Sequence, residues 1–145
     1  MTDLKLLALD AEDLAIVSAH VQDAVLKVGD IHWRADEKRL VLGLNRFAWE
    51  TTDGRRTRGF ERRRAALHFS RVTSVKAAHL SPSEPDVVVE LLAVRFEETD
   101  APSGVVELVF AGGAAMRLEV ECLEVGLADL GAVWATPHCP NHAVD

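Results

Sequence analysis

From Ala24 onward the chain repeats one unit: a short run in which apolar residues alternate with polar ones, closed by a turn. Leu40, Leu42 and Leu44 alternate, as do Ala65, Leu67 and Phe69, then Val106, Leu108 and Phe110. The cleanest run is Met116, Leu118, Val120 and Cys122, set against Arg117, Glu119 and Glu121. Successive side chains of a strand point to opposite faces, so a period of two buries one face and wets the other. Between the runs stand Asp36-Glu37-Lys38, Thr52-Asp53-Gly54, the Pro- and Ser-rich segment 81–86, the segment 99–104 and Gly112-Gly113. These combinations turn a chain. The pattern predicts successive antiparallel strands joined by tight turns.

The alternation slips in places. Leu26 and Val28 fall on one parity, Ile31 and Trp33 on the other, with Gly29-Asp30 between them. Phe47 and Trp49 follow Leu44 out of phase, which predicts a bulge near Asn45. Residues 87–96 are apolar on both parities and predict a central strand covered on both faces. Before the strands, Asp10 is a candidate N-cap with Asp13 three residues on, and Leu14, Val17 and Val21 share one helical face. A helix is predicted from about residue 10 to about 22. After Cys122, the spacing of Leu123, Leu127, Leu130 and Trp134 predicts a short C-terminal helix, although Gly126 and Gly131 weaken it. Residues 136–145 read as an irregular tail. The expected fold is a single domain over 1–145, α+β and mostly β. It has an N-terminal helix, about seven antiparallel strands in a bent sheet or small barrel, and a closing C-terminal helix, by analogy with the pleckstrin-homology fold.

A chain of 145 residues is long enough to bury a real core. Its apolar runs are far shorter than the ~20 residues of a membrane span. Acids near the N-terminus replace the basic residues of a secretion signal. The expected location is the cytoplasm, with no membrane partner. Cys122 and Cys139 do not make a disulfide framework in a reducing compartment, and Cys122 reads as a small core residue.

Four stretches, LKLLALDAEDLAIVSAHVQDAV, LNRFAWE, RRRAALHF and FAGGAAMRLEVECLEVGLADLGAVWAT, resemble an uncharacterised alphaproteobacterial family, a domain of unknown function. The resemblance covers nearly the whole chain. It implies a small cytosolic bacterial protein and assigns no functional residues.

Charge supplies the one functional lead. Residues 1–79 hold 14 Lys/Arg and 11 Asp/Glu, while residues 80–145 hold 2 and 12, so balances of +3 and −10 make up the net −7. Six of the twelve arginines, Arg55, Arg56, Arg58, Arg62, Arg63 and Arg64, fall in the turn region of the 40–72 hairpin. Arginine suits bidentate contact with carboxylate or phosphate. A basic patch on an acidic body points to an acidic protein surface or a small anionic ligand, and away from nucleic acid, which calls for a domain-wide basic surface. The competing reading is a solvated hairpin that balances the acidic half of its own chain or guards a sheet edge. Alternation also sets Arg62 and Arg64 on the side opposite Arg63, so all six cannot line one pocket.

Other chemistry is thinner. His138, Cys139 and His142 form one half of a zinc pattern, and a small metal-dependent enzyme or metalloprotein using this tail is the alternative reading. There is no GxSxG segment and no Walker-type loop, and histidines 20, 32, 68 and 79 lie on different elements. The expectation is a non-enzymatic binding or adaptor domain with no cofactor. Trp33, Trp49 or Trp134, if exposed, would mark an interface, and an exposed strand edge would allow a homo-oligomer.

Overall fold

The computed structural model describes residues 4–52 and 55–133, with side chains over 4–47 and 62–130. In chain order the elements are β1 (Lys5–Ala8), α1 (Ala11–Val21), β2 (Ala24–Lys27), β3 (Ile31–Arg34), β4 (Arg39–Thr52), β5 (Arg55–Phe69), β6 (Val72–Ala78), β7 (Val88–Glu98), β8 (Gly104–Phe110), β9 (Ala115–Val120) and β10 (Val125–Val133). The strands form one sheet in the order β1-β10-β5-β4-β2-β7-β8-β9-β6, and β3 adds to the start of β4. The pairings are antiparallel throughout, and short links join β3 to β4, β4 to β5, β7 to β8 and β8 to β9. Among the described residues β1 and β6 each pair on one side only, so the sheet is open.

This corrects the expected fold class. The class is mostly β: among the described residues there are ten strands rather than about seven, and the sheet does not close into a barrel. The C-terminal helix is replaced by β10, and the pleckstrin-homology analogy falls with it. Leu127 and Leu130 are three apart, which reads as helical, but Leu130 is 56% exposed while Val125 and Leu127 are buried at a strand spacing of two. Gly126, poor in a helix, is useful in a strand here because it leaves room for a neighbouring ring.

The helix starts where the cap signal places it. Asp10 is extended, and its Oδ1 accepts a hydrogen bond from Asp13 N at 2.8 Å. Leu14, Val17 and Val21 are buried, and the helix packs mainly on β7 and β1. The core joins these residues to Leu40, Leu42, Leu44, Leu67, Phe69, Leu91, Leu108, Phe110, Leu118 and Leu127. Each such side chain gains about 1.5–3 kcal/mol by leaving water.

The slip at Gly29-Asp30 is a single helical turn, Val28–Asp30, between β2 and β3, and register shifts account for the patterns in β7 and β4. In β7 the shift lies between Leu91 and Ala93, so Leu91 and Val94 both face the core although three apart. Ser18 Oγ accepts the Val94 N–H at 2.9 Å and ties the helix to this point. The strand is not covered on both faces, since Val88 and Leu92 are exposed. In the β4–β5 pair the shift lies between Phe47 and Trp49, not at Asn45. Arg46 therefore keeps the inward parity of Leu40, Leu42 and Leu44.

Candidate functional site

β4 and β5 are the longest strands, and only part of each is held by the rest of the sheet. β2 reaches β4 at Asn45, and β10 reaches β5 as far as Arg63. Beyond Phe47 and Arg62 the two strands pair with each other alone, among the described residues. At about 3.4 Å per residue, the 47–52 stretch makes a ribbon about 20 Å long. Its register sets Arg58 across from Trp49, Arg56 across from Thr51 and Arg55 across from Thr52. The side chains of these three arginines lie outside the described residues, and the link at 53–54 does too.

At the root of the ribbon the remaining three arginines separate. Arg62 is exposed and its guanidinium carbon sits 5.1 Å from the centre of the Phe47 ring, its partner across the strands. That distance suits a cation–π contact. Arg64 is half-buried on the same side and reaches Asp30 at 3.3 Å. A Cβ at Gly43 would stand 2.7 Å from the Arg64 guanidinium, so that glycine makes room for the ion pair. Arg63 faces the other way. It is 3% exposed and lies 4.0 Å from Asp129.

Asp129 is the centre of a buried ionic cluster. Arg46 Nε donates to its Oδ1 at 2.8 Å, and a second Arg46 nitrogen donates to its Oδ2 at 2.9 Å. Leu4 N donates to Oδ2 at 3.0 Å, and Asp129 N returns a bond to Leu4 O. Burial alone would push the Asp129 carboxyl up. The Arg46 hydrogen bonds, the Leu4 N–H and the charges of Arg46 and Arg63 outweigh it and hold the pKa below its ordinary 3.8. One carboxylate thus ties β10, β4 and the start of β1 together beneath the ribbon. A fork of two bonds from one guanidinium also fixes direction.

Sequence reasoning missed Arg46 and Asp129. Arg46 could have been found by extending the parity of 40, 42 and 44 by one step. Asp129 was hidden by reading residues 123–134 as a helix.

On the opposite face of the sheet, His68 lies between Val41 and Gly126. A Cβ at Gly126 would collide with the His68 ring. Burial, and next the positive charge of Arg39, lower the His68 pKa from 6.5 against the pull of Glu124. Its Nδ1 is buried without a hydrogen-bond partner. Cys122 is partly buried and unbonded. His138, Cys139 and His142 lie outside the described residues, and so does Trp134. Among the described residues no group of three or more His, Cys, Asp or Glu side chains could hold a metal ion. No helix among them is long and apolar enough to cross a membrane.

Among the described residues, open cavities of about 220–470 Å³ indent the surface, and those near Val28, Cys122, Thr73 and Arg95 are not lined by Arg62, Arg63 or Arg64. The first, under the 79–87 loop, is lined by Val28, His79, Leu80, Ser81, Glu84, Val87 and Val89, and the Ser81 hydroxyl is hydrogen-bonded to that of Ser83 at 2.8 Å. Residues 4–142 match the model of a family described as "Protein of unknown function (DUF2948)". No curated protein and no solved structure matches the chain.

Proposed function

The chain belongs to the DUF2948 family of proteins of unknown function, and we propose that it is a non-enzymatic binding domain that engages an acidic protein surface through the β4–β5 ribbon. The observation that carries this reading is the ribbon itself, whose two strands, among the described residues, pair only with each other beyond Phe47 and Arg62 and hold Arg55, Arg56 and Arg58 in register there. The chain as a whole is acidic, at net −7, and residues 80–145 hold 2 Lys/Arg against 12 Asp/Glu, so an approaching acidic partner is repelled there and steered to this end. An extended protein surface is favoured over a small anion because the register spreads Arg55, Arg56 and Arg58 along an extended two-stranded ribbon. A duplex nucleic acid would meet the same overall negative field, with one short ribbon to offset it. The domain works without a cofactor in this account, and in the cytosol of a bacterium. The split at the root also has a role: Arg46, Asp129 and Arg63 anchor the ribbon, and the arginines past Arg62 make the contact.

The test is a fluorescence-anisotropy titration with a labelled oligoglutamate peptide. The wild type is expected to bind, more weakly as salt rises. Arg55→Ser/Arg56→Ser/Arg58→Ser is expected to lose at least about tenfold in affinity at unchanged melting temperature, since each arginine–carboxylate contact is worth on the order of 1 kcal/mol. Equal affinity of the two proteins would remove the ribbon from the binding surface.

A further inference from the structure

The outer face of the β7–β8–β9–β6 half of the sheet carries two cross-strand rows. Register places Arg95 beside Glu107, Glu107 beside Arg117, and Arg117 beside Lys76. Two residues along, it places Glu97 beside Val105, Val105 beside Glu119, and Glu119 beside Ser74. All eight residues point away from the core: their inward neighbours Val94, Val106, Leu108, Leu118 and Val120 are buried, while Arg95, Glu97, Arg117, Glu119 and Lys76 are exposed. The first row carries three cations and one anion, the second two anions and no cation. Both rows run out at β6, which pairs only with β9 among the described residues and is exposed from Lys76 to Ala78.

We propose that β6 is a homodimer interface, in which the β6 strands of two copies pair antiparallel about a two-fold axis at Val75. In that register Val75 faces Val75 of the second copy, and Lys76 of each copy faces Ser74 of the other. The cationic row Arg95-Glu107-Arg117-Lys76 of one copy then continues into the Ser74-Glu119-Val105-Glu97 row of its mate. The flexible Lys76 side chain reaches past the short Ser74 side chain to Glu119. The two-fold axis repeats the contact, so each copy gives one cationic row and one anionic row. This pattern is self-complementary in the antiparallel sense, which a second copy satisfies without any other partner. Val75 packs on the core side of β6, so the pairing would also extend the core edge across the axis. The exposed strand edge, otherwise a liability, becomes a paired strand in the middle of a two-copy sheet.

Sedimentation velocity of the full chain over about 1–100 μM tests this. The wild type is expected to move from monomer to dimer with concentration, and to shift toward monomer as salt rises. Lys76→Glu is expected to weaken the dimer at least about tenfold, because two symmetry-related attractions become repulsions. This variant places its new carboxylate beside Arg117 of its own chain, so its fold is favoured. Lys76→Glu/Glu119→Lys restores the attraction with the signs exchanged and is expected to return the dimer to within about threefold of the wild type. A wild type that stays monomeric over this range would overturn the proposal, with Lys76 then serving to block the edge. A dimer indifferent to Lys76→Glu, or not rescued by the double exchange, would overturn it as well.

Discussion

Replacing Asp129 with Asn probes the anchor beneath the ribbon. The substitution keeps the shape of the side chain and removes its charge. Asp129 and Arg46 are 7% and 5% exposed, and they share bonds of 2.8 and 2.9 Å. Arg63, 3% exposed, lies 4.0 Å away. Two guanidinium groups would be left in a site that water hardly reaches, facing a neutral amide. Breaking a buried ion pair from one side costs about 3–5 kcal/mol, a large share of the ~5–15 kcal/mol that holds a domain folded. At about 3 °C per kcal/mol for a chain of this size, the melting temperature is expected to fall by roughly 10 °C. Urea unfolding at neutral pH, at constant m-value, measures the loss directly. Acid provides a second arm. The folded pKa of Asp129 lies below its ordinary 3.8, so the folded state binds fewer protons than the unfolded state between the two values. The contribution is complete at about pH 5 and above, is eroded as pH falls through the ordinary value, and is gone below the lower folded value. The gap between wild type and Asp129→Asn is therefore expected to close in strong acid. A loss below about 1 kcal/mol at neutral pH, or a gap that does not change with acid, would refute the anchoring role.

Gly126→Ala is expected to cost about 1–3 kcal/mol by overpacking, because the new methyl group meets the His68 ring. In a His68→Ala background most of that cost should vanish, and an equal loss in both backgrounds would contradict the contact. Asp10→Ala removes the acceptor of the Asp13 N–H and is expected to cost about 1 kcal/mol, read as a shift in the urea midpoint without change in slope.

How far the sequence disclosed this molecule can be followed residue by residue. The cap at Asp10 and the helical face of Leu14, Val17 and Val21 are local signals, and local signals survive folding. The parity of Leu40, Leu42 and Leu44 against Ala65, Leu67 and Phe69 likewise gives a hairpin whose register pairs Leu42 with Leu67. What failed needed partners distant in sequence. Leu127 and Leu130 suit a helix or a strand, and β10 becomes a strand because β5 and β1 stand ready on its two sides. The shift at Leu91–Ala93 makes a strand with one buried face look apolar on both faces. The Arg46–Asp129 pair joins residues 83 apart in sequence, which no motif announces. The arginine cluster was plain in the sequence, yet its division into an exposed Arg62, an Asp30-paired Arg64 and a buried Arg63 depends on the sheet.

The measurement closest to the central claim is amide mapping by NMR during titration with an acidic peptide. The largest shifts are expected along 47–52 and 55–62, where β4 and β5 pair only with each other among the described residues. Amides of the lower hairpin, such as Leu42 and Leu67, should hardly move. Shifts gathered around the cavities near Val28 and Leu80 or near Cys122, with the ribbon unmoved, would contradict the account.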